Sequence, residues 1–344
     1  EVQSLEQRSA SLKALHPISL CYNGPMKIDL ALDIGGTHMR AAVFPENQTK
    51  PTLQKRIRTY ADDKTSLIRL LALIKEVTPA NTAIHAVGIG IPGVIDPETG
   101  QIVTAPNLED WVGIPIAARI EKEIGAPTTL GNDANLAALG EWHFGAGQGH
   151  QDLVYLTIST GIGGGVISGG RLLKGKHGMA GELGHVTILP DGPVCSCGQR
   201  GHLEALSSGP GIMKYVARQL LKGRKSSLSG NPDPKQISLA AREGDALARE
   251  AFERAGHYLG LMIANTLMIF NPSIVILGGG VSQTGELLLK PVRKAVRQSV
   301  LSGAYLEDLT LTQAALGDDA GLYGALALAR GSLPEDQHKM PSMI

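Results

Sequence analysis

GELGHVTILPDGPVCSCGQRGHLE, residues 181–204, decides how the rest of the chain is read. Cys195 and Cys197 are bracketed by His185 ten residues before the first cysteine and His202 five residues after the second, with Pro190, Asp191, Gly192, Pro193, Gly198 and Gly201 supplying turn chemistry between them. Four soft or borderline donors on a short glycine-rich loop suit tetrahedral zinc, which takes Cys sulfur and His nitrogen and closes its coordination sphere in a structural role. The plainer alternative is two buried thiols and two unrelated histidines; four donors separated by turn residues favour the metal. A Cys195–Cys197 disulfide is disfavoured, because residues two apart close a strained ring and nothing else in the chain suggests an oxidising compartment. Metal binding would also gather Glu182, just before the first donor, and Glu204, just after the last. Convergent carboxylates beside imidazole suit a polyhydroxyl ligand.

The loop sits in a chain of 344 residues, long for one core, and the length favours two lobes. Apolar residues make up 43%, ample for burial, and Lys plus Arg equals Asp plus Glu at 32 each, so no charge excess calls for nucleic acid. The expected partner is a small molecule. No apolar run approaches the roughly 18 to 20 residues of a membrane helix, and no basic-then-apolar leader opens the chain, so a cytoplasmic protein with no membrane partner is expected. Glycine at 43 residues points to tight turns and close backbone approach to ligand. Residues 1–25 have only a weak apolar pattern, and Met26 reads as the start of the folded chain with an extension before it.

Residues 27–34 and 39–44 read as a hairpin turned by Gly35, Gly36 and Thr37. Helical periodicity at 65–77, a buried strand at 83–91, a helix at 114–124 and a short strand at 128–130 follow, an α/β alternation. The strand stops at GNDAN, and 134–142 reads as a helix with Asp133 at or near its N-cap. A second hairpin, 152–159 and 166–168 around the turn TGIGGG, echoes the first and suggests two related lobes. Beyond the metal loop come a helix at 209–221, a polar connector at 222–234, a long helix at 246–270 ended by Asn271 and Pro272, a strand at 273–277 running into Gly278–Gly280, and a helix at 285–300. The small-residue helix at 321–329 is expected to pack back on the first lobe, and its surface is a candidate dimer contact.

Glycines at such turns let backbone N–H groups face an anion, and a threonine hydroxyl adds a donor. Asp33 before Gly35, Gly36 and Thr37, and Thr160 before Gly161, Gly163 and Gly164, fit that description; so does the run containing Gly279 and Gly280. None is a Walker or dinucleotide motif, and each alone also reads as an ordinary turn. Asp133 is the candidate reacting carboxylate. At a helix N-terminus it is expected to stay ionised, since the dipole and free N–H groups favour negative charge. Phosphoryl transfer asks mainly for alignment and charge neutralisation, so a base of low pKa would suffice, with Asp33 holding Mg²⁺ through water.

In this order, DIGGTHMR, GIPGVID, PNLEDW, GNDANLAALGE, TISTGIGGG, GELGH, CSCGQRGHLE and LGGGV resemble the ROK family of sugar kinases and repressors, over residues 27 to about 330. The resemblance implies the two-lobed, ribonuclease H-like α/β ATPase fold of actin and hexokinase: a small lobe of 26–132 plus 319–331, a large lobe of 133–318 with the zinc loop and nucleotide region, and a tail of 332–344. It implies Asp133 as general base; Asn107, Asn132, Glu182, His185 and Glu204 as sugar ligands; and Gly36, Thr37, Thr160, Gly161 and Gly279 around ATP. The family usually carries a third cysteine where this chain has His202, so the zinc set would be His185, Cys195, Cys197 and His202. Dimers or tetramers are the family habit.

These readings predict an ATP- and Mg²⁺-dependent hexose kinase acting on the 6-hydroxyl of glucose. N-acetylmannosamine, mannose or fructose kinase is the rival, because the named contacts hold hydroxyls these sugars share. A sugar-sensing repressor is disfavoured, since only 25 residues precede Met26 and they carry no recognition-helix pattern or basic patch. A catalytically dead sugar binder is disfavoured by the presence of both Asp33 and Asp133.

Overall fold

The computed structural model describes residues 26–61 and 65–331. The expected extension at 1–25 and tail at 332–344 lie outside the described residues. Among the described residues no helix is long and apolar enough to cross a membrane.

In chain order, the first sheet is built from β1 (Met26–Ile34), β2 (His38–Pro45) and β3 (Leu53–Arg58), then helix α1 (Ser66–Val77), β4 (Thr82–Ile91), the short pair β5 (Val94–Ile95) and β6 (Ile102–Thr104), helix α2 (Ile116–Ile124) and β7 (Thr128–Asn132). The strand order is β3-β2-β1-β4-β7, antiparallel through the hairpin and parallel thereafter. β1 is covered from both sides: Ile28, Leu30, Leu32 and Ile34 are buried on its apolar face, and Ala31 and Asp29 are buried on the other, the Asp29 carboxylate pairing with Arg330 at 2.7 Å and His85 at 2.9 Å. Thr65 caps α1 by accepting the Ile68 amide, and Gly125 ends α2 in the left-handed region.

Helix α3 (Asp133–Phe144) leads to the second sheet: β8 (Leu153–Ile158), β9 (Ile162–Ser168) and β10 (Arg171–Leu172), then α4 (Leu203–Ser207), α5 (Gly209–Leu221), α6 (Pro234–Glu243), α7 (Ala246–Phe270), β11 (Ile274–Gly278), α8 (Glu286–Ser299) and β12 (Thr310–Gln313). Its order, β10-β9-β8-β11-β12, repeats the first sheet's pattern of an antiparallel edge on a parallel remainder. The resulting architecture is two α/β lobes, one on each five-stranded sheet.

Two expectations are corrected and one element is added. The second hairpin turns over residues 159–161, not across all of TGIGGG: β9 starts at Ile162, and Gly163 and Gly165 lack side chains because α3 lies on them, a Cβ there falling 2.8 Å from Ala134 Cβ and 2.5 Å from Ala138 Cβ. Between the connector at 222–234 and the long helix, where the sequence reading assigned nothing, Asp233 and Gln236 form a capping box with Pro234 in the first turn and start α6. Finally, the small residues of the last helix, α9 (Ala320–Ala329), are spent inside the molecule rather than on a dimer surface. A Cβ on Gly324 would lie 1.7 Å from Leu136 O of α3, and one on Gly88 of β4 would lie 1.9 Å from Ala325 O of α9.

α3 and α9 thus cross at backbone distance between the two sheets. Leu136 and Leu139 of α3 face the first-lobe cluster with Ala31 and Phe44, while Ala137 and Ala138 face the second with Leu153 and Ile276. The N-terminus of α3, where Asp133 sits, is held from both sides.

Candidate active site and metal centre

Asp133 is the first residue of α3, next to the cap, within the expected place at or near it. Asn132 is the cap: its Oδ1 accepts the Asn135 amide at 3.0 Å, and its Nδ2 donates to Gly93 O at 2.9 Å. The Asp133 carboxylate accepts the Ala134 amide at 2.8 Å. Its ionisation is opposite to expectation. Desolvation first, then the charge of Asp33, with Glu182 adding to it, push its pKa up to about 7 against the pull of backbone N–H groups.

Asp133 and Asp33 line one hollow of about 220 Å³ with Thr157, Gly279 and Gly280. Arg40 is the residue that sequence reading missed. It sits opposite Asp33 in the β1–β2 register and donates Nη2 and Nε to Asp33 Oδ2 at 2.6 and 3.0 Å, leaving Oδ1 free for another partner. Arg40 also donates to Asp318 O at 2.6 Å and pairs with Asp319 at 3.2 Å, tying the first hairpin to the start of α9. Pairing residues across the GGT turn would have found it.

A second hollow of about 350 Å³ adjoins the first at Gly280 and is lined by Val281, Phe252, Lys235 and Arg242. A Cβ on Gly280 would meet nothing within 4 Å, so protein packing does not require glycine there. The bare backbone faces both hollows, as a phosphate-bearing ligand running between them would need.

Glu204 joins the metal loop to the β8–β9 turn. Its Oε2 accepts the Ile162 amide at 3.2 Å and sits where a Cβ on Gly161 would lie at 2.6 Å, while its Oε1 accepts from Ser196 Oγ and, at 3.4 Å, from Cys195 Sγ. Glu182 precedes a 3-10 turn, Leu183–His185, and its carbonyl accepts the His185 amide at 3.0 Å. Asn107 has a left-handed φ of 64° and its side chain lies against Gly36, where a Cβ would fall 2.4 Å from Asn107 Cβ. Gly35 and Thr37 stay on the first turn, whose closure is Gly35 N to His38 O at 2.9 Å, and Thr160 is exposed on the second. Glu182, His185 and Glu204 do not line the hollow of Asp133; the structure brings Glu182 into its electrostatic reach and joins His185 and Glu204 through Cys195.

The donor atoms of His185, Cys195, Cys197 and His202 all lie within 4.8 Å of one another. His185 Nδ1 is 3.6 Å from Cys195 Sγ, and His202 Nδ1 is 3.2 Å from Cys197 Sγ. Isolated bridges Thr187–His202 and Val194–Arg200 fold the segment back on itself, and Gly201 (φ +70°) is obligatory, since a Cβ there would lie 1.6 Å from Leu189 O. Two thiols and two imidazoles this close are the donor chemistry and spacing that tetrahedral zinc takes, with bonds of about 2.0 to 2.3 Å.

The ROK family description matches residues 29–332. The glucokinase of Thermotoga maritima is 38% identical over 308 residues, 88% of this chain and 96% of the relative. An N-acetylmannosamine kinase of Salmonella arizonae is 35% identical over 302 residues, 88% of this chain and 98% of the relative. Among solved structures, a ROK glucokinase from Streptomyces griseus in complex with glucose and AMPPNP is 35% identical and superposes with a TM-score of 0.73, covering 88% of this chain and 99% of that one.

Proposed function

The chain belongs to the ROK family of sugar kinases, and from that premise we propose that it is a glucokinase, transferring the γ-phosphoryl group of ATP to the 6-hydroxyl of glucose. The observation that carries the reading is the Asp133 carboxyl at about pKa 7, in a hollow that meets a bare-backbone glycine at Gly280. A carboxylate of that basicity is matched to taking a hydroxyl proton near neutral pH. As the sugar oxygen bonds to the γ-phosphorus and the bond to the ADP oxygen breaks, the hydroxyl proton passes to Asp133. Asn107, Asn132, Glu182, His185 and Glu204 present acceptors and donors to the remaining hydroxyls. Closing the lobes around the sugar excludes water, the competing acceptor.

ATP spans the two hollows, with phosphates over Gly279 and Gly280 and the adenosine beside Phe252 and Val281. Magnesium would neutralise phosphate charge in the transition state; Asp33 would hold it through water with the oxygen Arg40 leaves free. Zinc on His185, Cys195, Cys197 and His202 would fix the loop that carries Glu204. The same proposal includes a cytoplasmic homodimer or homotetramer.

The test is a coupled assay of the purified chain on glucose, mannose, fructose and N-acetylmannosamine, with ATP and with polyphosphate. The reading expects the highest kcat/KM for glucose with ATP. A higher value for N-acetylmannosamine would move the assignment to the rival kinase, and no turnover of any sugar would remove it.

A further inference from the structure

A hollow of about 460 Å³ lies apart from the cleft, sharing no lining residue with those beside Asp133 and Gly280. Four cations reach it from three elements: Arg200 from the metal loop, Lys214 and Arg218 one turn apart on α5, and Arg254 from α7. One carboxylate, Asp191, is on the wall. Among the described residues none of the four cations has a carboxylate within ion-pair distance. Glu250, one turn before Arg254, is engaged by Arg224 at 2.7 Å and by the Tyr215 hydroxyl.

Arg254 is held in place. Its guanidinium stacks over the rings of Tyr215 and Tyr258 at 4.8 and 4.9 Å and donates Nη1 to Leu206 O at 3.3 Å. Burial, with the charge of Arg218 adding to it, pulls its pKa below the usual guanidinium value. Arg218 in the last turn of α5 complements that helix's dipole, which accounts for one cation of the four. Arg200, whose Nη1 donates to Gly192 O at 3.4 Å, and Lys214 are exposed, so their repulsion is screened by water, and an anion in the hollow would be attracted by all four cations.

We propose that this hollow is an anion site for a small phosphorylated molecule, with Arg254 as the pre-oriented fork and Arg200, Lys214 and Arg218 supplying further charge. Its volume is that of a small-ligand pocket, and a planar guanidinium suits phosphate geometry. The occupant would brace the metal loop, because residues 189–194 and Arg200 form one wall and Arg254 holds the carbonyl of Leu206 two residues beyond Glu204. The assignment does not rest on the kinase reading: a chain inactive on every sugar would still bind phosphate here.

The test is calorimetric titration of inorganic phosphate, tripolyphosphate and glucose 6-phosphate into the full chain, with and without saturating glucose and AMPPNP. One event per chain is expected to persist with glucose and AMPPNP present, to weaken with added salt, and to weaken at least ten-fold in Lys214→Ala/Arg218→Ala, whose kcat stays that of the wild type. The exposed control Lys294→Ala should bind as the wild type does. Tighter tripolyphosphate identifies a phosphate chain and tighter glucose 6-phosphate a sugar phosphate; either supports the site. Absence of that event, equal affinity in the double variant, or tighter binding of a poly-glutamate peptide than of every phosphate compound would overturn it.

Discussion

Asn132 and Asp133, neighbours in the chain, divide one helix start between them: Asn132 Oδ1 takes the Asn135 amide at 3.0 Å, which leaves the Asp133 carboxylate free of the capping role. The helix dipole favours a nearby anion by roughly 0.3 to 1 kcal/mol, whereas burial and like charge shift a carboxyl by several pKa units. Desolvation wins, and Asp133 titrates near neutrality.

Stability should record that cost. The folded pKa of about 7 is above the unfolded 3.8, so the contribution of Asp133 is fully present below about pH 4 and lost as pH rises through 7. Asp133→Asn removes the titration. Its stability relative to wild type should therefore rise between pH 5 and pH 8 by roughly 2.7 kcal/mol, about two units at about 1.4 kcal/mol per unit. Urea unfolding at the two pH values measures it, and a constant difference would contradict the assigned pKa.

The pH–rate profile should show the same group. The acidic limb of kcat/KM for glucose is expected near 7 in wild type and at lower pH in Glu182→Gln, which removes one of the charges raising the Asp133 pKa. An unmoved limb would separate Glu182 from Asp133.

Metal analysis should find one zinc per chain. Cys197→Ser should lower the occupancy and the melting temperature and raise the KM for glucose several-fold, because Glu204 is held through the loop. A fully active, zinc-free preparation would remove the metal from the account.

Two glycines should behave differently. Gly324→Ala drives a Cβ into Leu136 O and should cost about 3 kcal/mol or more in urea unfolding. Gly280→Ala meets open space and should change stability by about 0.5 kcal/mol or less, yet raise the KM for ATP several-fold. Unchanged ATP kinetics in Gly280→Ala would take the nucleotide off that backbone.

Much of the fold was legible because its signals are local. Period-two and period-3.6 apolar patterns placed β1, β4, α5 and α7 within a residue or two, and the four metal donors lie on one short loop. The errors arose where distant packing overrides local reading. Gly163 and Gly165 resemble turn glycines in sequence and are strand glycines only because α3 lies on them. The small residues of α9 resemble an external surface until α3 is seen against them. The protonation of Asp133 depends on Asp33, 100 residues earlier, and on burial that no window of sequence contains.

The most direct test measures glucose phosphorylation by Asp133→Asn, with glucose binding followed in parallel. Loss of at least about 100-fold in kcat is expected, with glucose affinity within a few-fold of wild type, since general-base catalysis is worth about 10² to 10⁴ in rate. A variant that phosphorylates glucose at the wild-type rate would show that Asp133 is not the base.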